Sequence, residues 1–495
     1  MGSSKKIFSG VIWTMVVNAV NAIYGFISVP ILINYFGKSE YGLIGIAMSI
    51  NVYLQLLDMG FNSTNIRFFS KWLGSGENEK LIRGVQTSFG FYLIIGIINT
   101  TVLLVLSFFS DDVFNVTYEQ DVILKKLIYV LSISAFFSWI QACFDQLIRA
   151  MEDIAWIQKW LLVTKVFMIF LLFATVYFKF SIEIYFLFTC ICSFMLLPIY
   201  VYKAKKDCLH VIVLPKIDKK ILKEILPYSL NIFSFSIFQF SFYNLRPVLL
   251  GVQGTVESVA DFRVLNGAVG IVTLFGGAFL NVLLPSTSRI SLNDNKDAYY
   301  RVAYSGTKYI SIVTCFFCFA MIAIGPELLT LYVGRDFLYL IPWFNLWMLC
   351  TLGTHNQAIS SLILAGSDIR AISYSSIVAS IVGLITCWFL IPIYQIGGTV
   401  IGFAIYMVVQ LLFYYLYYWP LKMKIDSSNV FFRCFLPYVL IGGFASGILF
   451  YIPISESNQL SILIKGFVFF SFFCLASYIS LRKEEKDFIF GLIKK

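Results

Sequence analysis

VILKKLIYVLSISAFFSWIQACFDQLI, residues Val122–Ile148, is the stretch that settles the fold class. Inside lipid only helices and closed barrels satisfy their own backbone, and a run of this length suits a helix rather than a barrel strand. A hydrocarbon core about 30 Å thick takes about 20 apolar residues of helix per crossing. Working outward from this run, similar stretches fill the chain at 8–36, 42–63, 84–109, 122–148, 154–178, 182–202, 225–250, 259–284, 302–324, 338–364, 371–391, 399–420, 434–452 and 460–481. The composition agrees: 59% hydrophobic, 18% aromatic and 13% charged, with a mean hydropathy of +0.82 over 495 residues. A soluble domain could not hide that much apolar surface. The expected fold is all-α: a polytopic membrane protein of about 14 transmembrane helices.

The cations fall between alternate spans. With the amino terminus placed in the cytoplasm, twenty-eight of the 37 Lys and Arg residues lie inside, six lie outside (Lys38, Lys125, Lys126, Lys179, Arg335 and Lys465) and three lie within or near the ends of spans. That asymmetry places both termini in the cytoplasm and makes the number of crossings even. The net charge of +10 is then a signal of topology facing anionic lipid, not of nucleic acid, which is not expected as a partner. The first apolar run lacks a small-residue cleavage site, so no cleavable signal peptide is expected. Ten cysteines are scattered mostly through spans, where Cys behaves as a small hydrophobe, and no disulfide framework is expected.

The longest loop, Lys203–Glu224, is basic; its Cys208 and His210 are too sparse for a metal site, and it reads as a solvated linker. It divides the chain into a six-helix lobe over 1–202, a linker over 203–224, a second six-helix lobe over 225–420, and two additional helices with a cytoplasmic tail over 421–495. A shift of 217 residues superposes Pro30 on Pro247, Gly37 on Gly254, Glu40 on Glu257 and Gly60 on Gly277, the pattern of a parallel repeat. Pro30, Pro247 and Pro285 remove backbone hydrogen bonds and are candidate bends.

Catalysis has little to stand on. There are two histidines, His210 and His355, and no HExxH, GxSxG, phosphate-binding loop or paired acidic metal motif. Loops are short, so no sizeable aqueous domain is expected to carry a transferase or polymerase site. The informative residues are charges inside apolar runs, where a charge faces a partner or a wet cavity. Lys165 lies about halfway through the fifth span, Arg246 near the outer end of the seventh, and Arg263 in the early part of the eighth. These three are the candidates for a cationic cavity that binds an anionic, phosphate-bearing substrate, guanidinium bidentately and lysine as a mobile point charge. The competing reading is that Arg246 and Arg263 snorkel to outer headgroups. Asp58, Asp145, Asp261, Asn18, Asn21 and His355 form a second tier, for lining the cavity or coupling it to an ion. Asn18 and Asn21 share a helix face, and Asp145 and Arg149 make an i,i+4 pair. Further polar side chains in spans (Asn51, Gln55, Gln239, Asn244, Asn266, Asn356 and Gln357) suit sugar hydroxyls or bonds between helices equally.

The run Tyr35-Phe36-Gly37-Lys38-Ser39-Glu40-Tyr41-Gly42, followed by Leu56-Leu57-Asp58-Met59-Gly60-Phe61 and Arg67, resembles the start of Wzx-type polysaccharide and oligosaccharide flippases of the multidrug/oligosaccharidyl-lipid/polysaccharide (MOP) superfamily. Leu284-Pro285-Ser286-Thr287-Ser288-Arg289 and Leu364-Ala365-Gly366-Ser367-Asp368-Ile369-Arg370 extend the resemblance over nearly the whole chain. It implies two six-helix lobes around a central cavity plus two C-terminal helices. It further implies alternating access that moves a polyprenyl-pyrophosphate-linked oligosaccharide from the cytoplasmic to the outer leaflet of a bacterial inner membrane, for O-antigen or capsule biosynthesis. No cofactor is implied beyond coupling to a Na+ or H+ gradient. The implied partners are the lipid-linked oligosaccharide, membrane lipids, a polysaccharide polymerase and other assembly proteins. A multidrug cation antiporter of the same superfamily is the first alternative and a membrane polymerase or transferase the second; the basic intramembrane excess disfavours the one and the short loops the other.

Overall fold

The computed structural model describes residues 3–209, 213–270, 272–273, 296–365, 369–452, 457–481 and 486. Those residues form helices and short connections, with no strand among them. Twelve of the described helices are long and apolar enough to cross a membrane, and thirteen if a bent pair counts as one span. The expected span over 259–284 runs beyond the described residues, as do His210, Gly277, Pro285 and the segment Leu284–Arg289, and the Leu364–Arg370 segment lies partly beyond them. The chain forms two compact units, Met1–Arg263 and Val264–Lys495. The segment over 203–224 and the long helix after it therefore fold with the first unit.

The first unit is built on α1 (Ser3–Phe36), α2 (Lys38–Leu54), α3 (Phe61–Ser75), α4 (Asn78–Phe108), α5 (Tyr118–Ala150), α6 (Ile154–Phe178), α7 (Ile182–Leu209) and α8 (Lys219–Gln253). Side chains on their outward faces are apolar and open, among them Phe170, Phe173 and Phe178, each more than half exposed. That inverts the soluble pattern and suits a lipid surround. The interior gathers Phe61, Phe69, Trp72, Tyr92, Leu147 and Ile148, all fully buried. In lipid such packing holds by dispersion and close fit rather than by water exclusion. Gly45 shows the fit: a Cβ there would lie 2.9 Å from Arg263 Cδ and 2.8 Å from Val259 Cγ1, so glycine lets Val259 and Arg263 approach α2 closely.

Two expectations change. The solvated linker is in part a docked strap. Helices extend into it from both ends, and residues 213–218 lie along α4, with Lys216 N donating to the Gln86 carbonyl at 3.2 Å and Asp218 pairing with Arg83. Arg83, with the Lys220 backbone N–H, holds the Asp218 carboxyl below its ordinary range. The second concerns bending. Pro30 and Pro247 lie inside α1 and α8, each helix ending six residues later, at Phe36 and Gln253. Yet α8 bends by 56° between Lys219–Ser234 and Ser236–Gln253, well before Pro247. Ser234 donates to the Leu230 carbonyl at 2.7 Å and Ser236 to the Ile232 carbonyl at 3.1 Å, and serine back-bonding of this kind bends helices.

In the second unit, the helices Ser427–Tyr451 and Asn458–Ser480 pack on Thr307–Ala323, where the ring of Phe316 meets Phe469, Phe470 and Phe473. The two C-terminal helices are thus integral to that unit. All ten cysteines are free.

Candidate functional site

The second span, expected to run unbroken over 42–63, is interrupted. After α2 the chain makes a tight turn over Gln55–Asp58, and Met59 (φ 50°) and Gly60 (φ 80°) take left-handed conformations before α3 begins. Gly60 is required twice: its φ disfavours side chains, and a Cβ would lie 2.6 Å from the Ser229 carbonyl. Ser229 holds the turn by donating to the Met59 carbonyl at 2.6 Å. Asp58 closes it from the other side: Oδ2 accepts the Asn62 N–H at 3.0 Å, satisfying a free amide at the start of α3.

From Asp58 a chain of hydrogen bonds runs inward. Tyr92 donates its hydroxyl to Asp58 Oδ1 at 2.6 Å and accepts from Gln146 Nε2 at 2.7 Å. Gln146 Oε1 accepts from Asn65 Nδ2 at 2.8 Å, and Asn65 Oδ1 accepts from Ser88 at 3.1 Å. Tyr92, Asn65, Gln146 and Ser88 are buried, and Trp139 stacks on the Tyr92 ring at 5.8 Å. Beside this network lies a cavity of about 510 Å³, walled by α2, the turn, α3, α4, α5 and α8. Asp58 is the one charged group in its lining.

The three cations expected to share a cavity are not in that lining. Two of them lie elsewhere in the same unit, each against a tyrosine. Lys165 lies 5.1 Å from the centre of the Tyr24 ring and 3.7 Å from Met168 Sδ. The Arg263 guanidinium lies 4.4 Å over Tyr41. Tyr24 is within electrostatic reach of Tyr41, Tyr185 and Arg263, so one tyrosine cluster spanning α1, α2 and α7 joins the two cations. Neither cation is paired with a carboxylate among the described residues. Arg246, 3% exposed, lies over the rings of Phe242, Tyr243 and Phe262 at 5.1–5.6 Å.

The second-tier residues scatter. Asp261 is buried and pairs with Lys38 at 2.8 Å. Asp145 and Arg149 form the expected i,i+4 pair, with Arg149 Nε 2.5 Å from Asp145 Oδ2. Asn18 is exposed on α1, and Asn21 is half-buried with an unbonded Oδ1. His355 lies in the second unit, fully buried: Nδ1 is 2.8 Å from the Leu352 carbonyl, Nε2 is 2.6 Å from the Tyr415 hydroxyl, and the ring stacks on Phe435 at 4.0 Å. Since a carbonyl only accepts, Nδ1 carries the hydrogen and Nε2 accepts from tyrosine. That imidazole has no valence left for a ligand.

The expectations omitted Tyr92, Gln146, Asn65 and Asn99, although an amide inside an apolar run was the signal for Gln146 and Asn99. They also counted Lys465 among loop charges. Lys465 is 1% exposed within the helix Asn458–Ser480 and pairs with Glu327 at 2.6 Å. Among the described residues no group of three His, Cys, Asp or Glu side chains is placed to hold a metal.

The sequence profile of the family described as polysaccharide biosynthesis protein matches residues 7–291. No curated protein matches the sequence. Several solved structures share the fold. The lipid II flippase MurJ in an inward closed conformation aligns at TM-score 0.71 and 15% identity, over 95% of this chain and 98% of that one. An inward-facing multidrug resistance MATE family transporter of the MOP superfamily aligns at 0.65 and 14%, over 86% and 95%. An outward-facing transporter of that family aligns at 0.54 and 15%, over 91% and 97%. At these identities the likeness is one of fold.

Proposed function

Because this multi-pass membrane chain belongs to the polysaccharide biosynthesis protein family, we propose that it is a flippase for a polyprenyl-pyrophosphate-linked oligosaccharide. It would carry the headgroup from the cytoplasmic to the outer leaflet of a bacterial inner membrane by alternating access, with both termini in the cytoplasm. The cargo serves surface polysaccharide of the O-antigen or capsule kind, passed on to a polymerase and other assembly proteins.

One observation carries the reading of an anionic cargo: Lys165 and Arg263 are both set against one tyrosine cluster and not against carboxylates. An intramembrane cation is costly, and ring faces offset only part of that cost. A pyrophosphate offers the missing counter-charge, and the tyrosine hydroxyls add donors to its oxygens. A cation antiporter is the second reading, favoured by Asp58, the charged group of the cavity wall. Against it, both Asp58 oxygens already accept hydrogen bonds from within the unit.

Deletion in the native cell, with extraction of polyprenyl lipids, tests the proposal. The expected result is accumulation of pyrophosphate-linked repeat units and loss of surface glycan. Normal surface glycan with altered drug resistance would replace the flippase by the antiporter. Coupling to Na+ or H+ belongs to the same proposal, and is tested by collapsing each gradient separately.

A further inference from the structure

The cavity at the broken second span has a use that the cationic cluster does not explain. Its volume, about 510 Å³, lies within the roughly 300–1,000 Å³ of small-molecule pockets and far exceeds what an ion's tight oxygen shell encloses. Its one carboxylate is held by Tyr92 and Asn62. The rest of the polar wall is neutral. Asn51, Gln55, Asn62 and Ser63 line it with side chains that make no hydrogen bond to another described residue. Deeper in, Asn99 is 1% exposed and its Oδ1 has no donor. A buried acceptor without a donor is costly, and it is unusual unless something outside the chain completes it. Trp139 presents an indole in the same wall, held by its stacking on Tyr92.

This set has a specific chemistry. Amides offer donors and acceptors together, as sugar hydroxyls do, while an indole face covers the apolar C–H face of a pyranose. Phosphate would call for cations, and the lining contains none. We propose that this cavity is a saccharide subsite, in which Asn99 accepts a hydroxyl hydrogen of the glycan and Trp139 supports the ring. The inference rests on the flippase reading and deepens it: Lys165 and Arg263 meet the phosphates, and the cavity in the first unit selects the sugar.

The test uses the full chain in lipid nanodiscs and two probes, undecaprenyl pyrophosphate and the glycan-bearing lipid that accumulates in cells lacking the protein. The wild type should bind the glycan-bearing probe at least about tenfold more tightly than the bare one, as expected of a site built to hydrogen-bond hydroxyls. Asn99→Ala and Trp139→Leu should each reduce that preference by about tenfold or more and leave affinity for the bare probe unchanged. Asn99→Ala should also unfold at the same temperature as wild type or higher, since it removes an acceptor that nothing in the protein satisfies. A residue with a merely structural role would lower stability and leave the preference alone. Lys165→Ala should weaken both probes alike. A wild type without preference, or variants that keep it in full, would overturn the saccharide subsite and leave the flippase reading standing. A wild type that binds neither probe would remove both.

Discussion

Two buried polar sites, one in each unit, differ in whether their hydrogen bonds close. His355 spends both ring nitrogens on Leu352 and Tyr415 and is roofed by Phe435. The network from Asp58 to Ser88 is satisfied along its length, yet it borders a cavity where Asn99 Oδ1 and several amides are left open. The first arrangement is what membrane helices use to hold one another together. The second is what a ligand completes. A polar residue in an apolar span therefore says little about its role until its partners are counted.

The largest effect should come from the second unit. There the buried Lys465 pairs with the largely buried Glu327, supported by Ser461, which donates to Glu327 Oε1 at 3.2 Å. Removing one partner of such a pair costs about 3–5 kcal/mol. Lys465→Ala is expected to unfold at markedly lower temperature in detergent, whereas the double change to Met at both positions recovers most of the loss. Equal damage by the single and double changes would show that the pair is not what pins the last helix. His355→Leu comes next, losing about 1–3 kcal/mol through the orphaned Tyr415 hydroxyl and the Leu352 carbonyl. Its rate of glycan export per folded molecule should match wild type. A selective loss of export would move His355 to the ligand side of the comparison.

On the open side, Tyr92→Phe should cost about 1–3 kcal/mol by stranding Gln146 Nε2 and one Asp58 oxygen. Its thermal midpoint should fall, and an unchanged midpoint would mean the network is not continuous. The smallest effect belongs to the strap along α4. Because Arg83 keeps the Asp218 carboxyl below its ordinary range, the pair's stabilisation is fully present above about pH 4, the unfolded value, and is lost as pH falls through the lower folded value. The pair lies at the surface, so Asp218→Asn should shift melting slightly at neutral pH and not at all at low pH. A shift that persists in acid would contradict the sign.

Much of the fold was legible because the bilayer imposes a coarse rule. Run length and cation alternation mark the spans without any knowledge of contacts. The i,i+4 pair Asp145–Arg149 was legible for a similar reason, since helix geometry alone brings the two together. What stayed hidden is long-range. The break after Leu54 depends on Ser229 reaching the Met59 carbonyl, and the cavity wall on Asn65 meeting Gln146, neither near in sequence. Lys38 with Asp261 and Glu327 with Lys465 are likewise pairs across the chain. The seat of Arg263 over Tyr41 needed the close approach that Gly45 permits, which no periodicity announces. Arg246 shows the limit of the charge argument: it was singled out for a wet cationic cavity, but it is buried over aromatic rings and is not in the lining of the described cavity.

The proposed reaction is movement of a pyrophosphate-linked glycan assisted by Lys165 and Arg263. It is tested most directly with purified protein in sealed vesicles holding the glycan-bearing lipid in both leaflets, by exposing the outside to membrane-impermeant periodate. Wild-type vesicles should lose nearly all the glycan to oxidation, and vesicles with Lys165→Ala and Arg263→Ala combined should lose only the outer half. Complete oxidation with the double variant would contradict the cationic mechanism, and protection of the inner half with wild type would contradict flipping itself.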